Sequence, residues 1–109
     1  MQELITEVKE LRKQLNDSVN EFKKVGYNKA KSEYNYRIAL AKEILIQRSQ
    51  STPVTIINDI VKGNENIAGL KLKRDSYETL YEATKEKIQA TKLELRIIDN
   101  QLQAERRGE

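Results

Sequence analysis

Residues 67–102 read IAGLKLKRDSYETLYEATKEKIQATKLELRIIDNQL, and the spacing inside this stretch decides the fold. Ile67, Leu70, Arg74, Tyr77, Tyr81, Thr84, Ile88, Thr91, Leu95, Ile98 and Leu102 follow one another in alternating steps of three and four. Only Arg74, Thr84 and Thr91 in that series are neither aliphatic nor aromatic. Such a repeat lines one side of an α-helix, and over about five heptads it is the seam of a coiled coil rather than a general amphipathic stripe.

A seam needs a partner, and the first half of the chain supplies one. Leu4, Val8, Leu11, Leu15, Val19 and Phe22 keep one helical face apolar. The pattern passes Gly26 and resumes as Tyr27, Ala30, Tyr34, Ile38, Ala41 and Leu45. The irregular step near Gly26 reads as a stutter, with a bend allowed by a glycine that costs about 1 kcal/mol relative to alanine in a helix interior.

Ser49, Gln50, Ser51, Thr52 and Pro53 interrupt the pattern with capping hydroxyls and a proline suited to a first helical position. A short elbow helix is therefore expected from Pro53 to Lys62, closed by Gly63 in the left-handed conformation, with Asn64 capping the next helix. The expectation is a single all-α domain, helices 2–49, 53–62 and 65–106, folded as a long antiparallel helical hairpin. In the simplest packing, facing residue numbers sum to about 113 to 115. Leu15 then meets Ile98, Leu11 meets Leu102, and Arg74 lies against Ala39 to Ala41 with its stem along the seam. Each long helix would span roughly 65 to 70 Å at 1.5 Å per residue. One two-helix seam struggles to offset the entropy of ordering the chain, so a homo-oligomer, most simply a dimer, is expected.

The composition agrees with long exposed helices: of 109 residues, 34% are charged and 38% hydrophobic, with one Pro and four Gly. Without cysteine there is no disulfide framework or thiolate chemistry. No apolar run approaches the length of a membrane span, and no signal segment is evident, so a cytoplasmic protein with no membrane partner is expected. Charge is uneven. Residues 22–74 carry eleven Lys and Arg against four Asp and Glu, leaving −4 for the remainder of a chain whose net charge is +3.

Two features could carry function. The elbow concentrates Val54, Ile56, Ile57, Ile60 and Val61, more branched aliphatics than sealing one end of a hairpin requires, and its surplus face is a candidate protein-binding surface. The basic stretch Lys29, Lys31, Arg37, Lys42 and Arg48, with Lys62 on the elbow, is a candidate charged rim, or a phosphate-binding face if Tyr27, Tyr34 and Tyr36 could stack on unpaired bases. Since Tyr27 and Tyr34 fall on the expected seam, the rim is the plainer reading. A helix-turn-helix is a poor match, because Asp59 stands where that motif packs a small apolar residue. Glu78, Glu82, Lys85, Glu86, Lys87, Gln89 and Lys92 have the mixed signs of a solvated face. With no His, no Cys nucleophile and no phosphate-binding glycine loop, neither an enzyme nor a cofactor or metal site is expected.

The segments YRIALAKEILIQ at 36–47 and TPVTIINDIVKGNENIAGLKLKRDSYETLYEATKEKIQATKLELRIIDNQ at 52–101 carry a resemblance. Through Tyr36, Arg37, Ala39 to Glu43, Pro53 to Gly63 and Lys73 to Asp75, residues 34–105 resemble a family of small helical early-gene proteins from phages of Gram-positive bacteria. The resemblance implies a protein that works in the host cytoplasm by binding and inhibiting or redirecting a protein that handles nucleic acid. Such a target is a host or mobile-element repressor, a defence nuclease, or a replication or recombination factor. It assigns no functional residue. Direct DNA or RNA binding through the basic half, and a structural or assembly role, are the alternatives.

Overall fold

A computed structural model describes residues 1–108, which form three helices: α1, Gln2–Ser49; α2, Val54–Lys62; and α3, Glu65–Gly108. The architecture is the all-α helical hairpin, two long helices joined by a short helical elbow. Its packing divides into two units, one of residues 1–24 with 81–108 and one of residues 25–80.

In the first unit, Leu11, Ile98 and Leu102 are buried together, with Leu4, Ile5, Val8 and Leu95 packed against them. Phe22 and Tyr81 stack with ring centroids 4.6 Å apart. Ser18, Thr84 and Thr91 are also buried, and the Thr91 hydroxyl donates to the Lys87 carbonyl one turn back at 2.9 Å, so burial leaves it satisfied.

In the second unit the core is Ile57, Val61 and Ile67, with Tyr36, Ala39, Leu40 and Ile44 packed against it. This cluster joins all three helices. α2 therefore occupies the same turns of α1 that a symmetric hairpin would give to α3, and the register shifts to accommodate it. Arg74 meets Glu33 and Tyr36 and shares a shallow pocket with Leu40 and Ala41, and in the other unit Phe22 faces Tyr81. The numbers of Phe22 and Tyr81 sum to 103 against the expected 113 to 115, while Leu11 and Leu102 share one core cluster as expected.

The junctions differ in detail from the sequence expectation. Ser51, at φ 61°, is the left-handed residue. Its N–H donates to the Arg48 carbonyl and that of Thr52 to the Gln47 carbonyl, each at 3.1 Å, which is the paired closure of a Schellman motif. Pro53 is the N-cap of α2, not its first residue. Gly63 is right-handed (φ −83°, ψ −5°), because its N–H and that of Asn64 bond back to Asp59 and Val61 and the chain turns directly into α3. Asn64 caps α3 as expected, accepting from the Ile67 N–H at 3.2 Å.

The larger correction concerns the second half of α1. The helix runs unbroken through Gly26, and its inward row continues as Val25, Lys29, Ser32, Tyr36, Ala39 and Glu43, all buried or half-buried. Together with Leu4, Val8, Leu11, Leu15, Ser18 and Phe22, that row alternates threes and fours with no stutter. The expected row is on the outside: Tyr27 and Tyr34 are 66% and 64% exposed, Leu45 is 63% exposed, and Ala30, Ile38 and Ala41 are exposed too. Polar residues at true seam positions mislead a reading by apolarity. Ser32 is tolerated there because its hydroxyl donates to the Lys29 carbonyl at 2.9 Å.

Candidate protein-binding surface

A helix of nine residues has room for two ridges, and α2 uses one of each kind. Ile57 and Val61, four residues apart, are 4% and 1% exposed and belong to the core. Ile56 and Ile60, rotated about 100° from them, are 43% and 40% exposed, and Val54 at the start of the helix is 76% exposed. The five elbow residues therefore divide. Ile57 and Val61 seal the unit and cannot meet a partner, whereas Ile56 and Ile60, one turn apart, form an open aliphatic ridge; Val54 is exposed at the helix start, on the side of Ile57 and Val61.

The charged rim divides as well. Lys31, Arg37, Lys42, Arg48 and Lys62 are exposed. Lys29 is half-buried on the inward row and has an interaction of its own, so it leaves the rim. The Arg37 Nε donates to the Glu33 Oε1 at 2.7 Å, a pairing one turn apart on α1.

Tyr36, expected on the surface, is the tyrosine that packs inward, beneath the Arg74 guanidinium at 4.6 Å from the ring centroid. Arg74 also reaches Glu33 Oε2 at 3.4 Å and donates from Nε and Nη2 to the Asp75 Oδ1 at 3.1 and 3.0 Å. Lys71 Nζ holds the other Asp75 oxygen at 3.1 Å. Lys71, and then Arg74, hold the Asp75 carboxyl below the usual carboxylate range, and the bond to Asp75 raises Arg74 above its already high value. The Asp75 carboxylate is thus engaged by two cations, and Glu33 lies beside Arg74 and Arg37. The chemistry of this cluster is that of a clamp between α1 and α3.

Among the described residues no group of three or more acidic, His or Cys side chains is arranged to hold a metal ion, and no helix is long and apolar enough to cross a membrane. What the second unit does present is apolar surface. Besides the α2 face and the outer row of α1, Leu72 and Leu80 on α3 are 69% and 43% exposed, and with Gly69, Lys73, Ser76 and Tyr77 they line a shallow groove.

No family model, curated protein or solved structure matches this chain. The functional reading therefore stands on the surface itself. Sequence reasoning found the elbow face but missed the outer row of α1, which it assigned to the core. The signal that separates the two rows is regularity: the inward row keeps its three-four alternation from Leu4 to Glu43, whereas the outer row becomes apolar only from Tyr27.

Proposed function

We propose that this protein is a non-catalytic helical module that acts by binding another protein, with the open face of α2 as its anchor. The observation that carries this reading is the splitting of the elbow. Once Ile57 and Val61 have sealed the core, Ile56 and Ile60 remain exposed together, one turn apart on a short helix, with Val54 exposed at its start. A branched aliphatic face of this kind gains from a desolvated pocket on a partner, with Lys62 and Asp59, both exposed, as charged surroundings. That the target handles nucleic acid, as a repressor, nuclease or replication factor does, and that the module inhibits or redirects it in a host cytoplasm, follows from the resemblance of residues 34–105 to phage early proteins. Self-association as a dimer is compatible with the same face.

A second reading, direct nucleic-acid binding, is favoured by one observation: Tyr27 and Tyr34 are exposed on a helix face that also carries Lys31 and Lys42. Capture of partners from a Gram-positive lysate, with and without nuclease, separates the two. The binding-module reading expects a protein partner retained after nuclease treatment and at moderate salt. Loss of all material on nuclease treatment, or a steep fall with salt, transfers the assignment to nucleic acid.

A further inference from the structure

The two halves of α1 differ on the side that faces away from α3. Two residues beyond each inward position, roughly opposite on the helix, the first half carries Thr6, Glu10, Lys13, Asp17 and Asn20, all exposed and polar. In the second unit the same offset gives Tyr27, Lys31, Tyr34, Ile38, Ala41 and Leu45, all exposed, with Ala30 beside them. The stretch from Tyr27 to Leu45 covers about 27 Å of helix. Its apolar members stand three, four or seven residues apart, which is the spacing that receives another helix. Alanines at 30 and 41 between larger side chains leave the hollows that a knobs-into-holes contact requires.

The flanks of this row say what kind of helix fits. Lys31 and Lys42 border it on one side, Arg37 and Arg48 on the other, and all four are exposed. The carboxylates of this part of α1, Glu33 and Glu43, lie towards the interior, where Glu33 pairs with Arg37 and Arg74 and Glu43 accepts from Gln47 at 3.1 Å. A second copy meeting this row through the same face would set lysines and arginines against one another, which is destabilising. We infer that the outer face of α1, from Tyr27 to Leu45, docks an acidic amphipathic helix of a partner protein, the apolar row supplying the seam and Lys31, Arg37, Lys42 and Arg48 pairing with its flanking carboxylates. This deepens the binding-module reading by naming the chemistry of the partner, and it uses residues other than those of α2.

The experiment uses the full chain and two synthetic helical peptides of about three heptads. Both carry Leu at alternating three- and four-residue steps; one is flanked by Glu, the other by Lys. Binding is read by calorimetry or fluorescence anisotropy, and helicity of every variant by circular dichroism. The Glu peptide binds, the Lys peptide does not, and Ile38→Asp with Leu45→Asp weakens the complex by about tenfold or more at unchanged helicity. Should that variant lose its fold, Lys31→Glu with Lys42→Glu carries the test instead, weakening the Glu peptide and creating affinity for the Lys peptide. Ile56→Asp with Ile60→Asp leaves peptide affinity unchanged, so failure of the elbow reading and failure of this one are distinguishable. The inference is overturned if the Glu peptide does not bind, if both peptides bind alike, or if the charge reversal leaves the preference unchanged. It is also overturned if an oligothymidylate binds instead in a manner abolished by Tyr34→Ala, or if a self-associated form of the chain dissociates on Ile38→Asp with Leu45→Asp.

Discussion

Ser51 is the residue whose backbone is least suited to its side chain. At φ 61° it holds the left-handed position of the Schellman closure, where a Cβ costs free energy and glycine does not. Ser51→Gly should therefore stabilise the fold by about 0.5 to 1 kcal/mol, the steric relief being partly offset by the greater freedom of glycine in the unfolded chain. Denaturant unfolding checks this, and a loss of stability would mean that the serine side chain contributes something beyond the turn. The junction was only partly legible in the sequence. The break at Ser49 to Pro53 and the Asn64 cap can be read from residue types, but the choice of Ser51 over Gly63 for the left-handed turn depends on where the chain must reverse. At Arg74 the sequence indicates a stem along the seam with its charge at the edge; the partners of that charge, Glu33 and Asp75 over Tyr36, are what residue types alone do not foretell.

Among the elements, α2 separates packing from presentation most sharply. Ile57→Ala opens a cavity among Val61, Ile67 and their neighbours, and should cost about 2 to 5 kcal/mol. Ile56→Ala, one residue earlier and 43% exposed, should cost less than about 1 kcal/mol. Thermal or denaturant unfolding of the pair measures the difference, and equal losses would contradict the two-sided account of the elbow. The seam of α3 was fully legible because nearly every one of its positions is apolar or aromatic. That of α1 was legible only as far as Phe22, and even there the buried Ser18 holds the position expected of Val19. Beyond it, Lys29, Ser32 and Glu43 occupy inward positions while Tyr27, Tyr34, Ile38 and Leu45 make a more apolar row outside. Hydropathy then favours the wrong side, and only the unbroken alternation of threes and fours identifies the right one.

Across the whole molecule, exposed apolar residues are unevenly shared. Tyr27, Tyr34, Ile38, Leu45, Ile46, Val54, Ile56, Ile60, Leu72 and Leu80 belong to the unit of residues 25–80, against Met1, Leu93 and Ile97 in the other. Scattered exposed aliphatics need no explanation, but their concentration in one unit, on helix faces with regular spacing, is what the proposed binding role rests on. The hairpin and its elbow could be read from periodicity alone. The exposed apolar surface could be read only where it coincided with the elbow, because single-sequence hydropathy cannot tell an apolar row that faces its own chain from one that faces outward.

The most direct test is a matched pair of double variants compared for retention of the captured partner. Ile56→Asp with Ile60→Asp alters the open face of α2, and Leu93→Asp with Ile97→Asp alters comparably exposed aliphatics, 54% and 49%, in the other unit. With folding confirmed by circular dichroism, the α2 variant should lose the partner by at least about tenfold, the effect expected of truncating a buried anchor, while the α3 variant retains it. Equal retention by both, or selective loss in the Leu93 and Ile97 variant, would contradict the assignment of binding to the elbow.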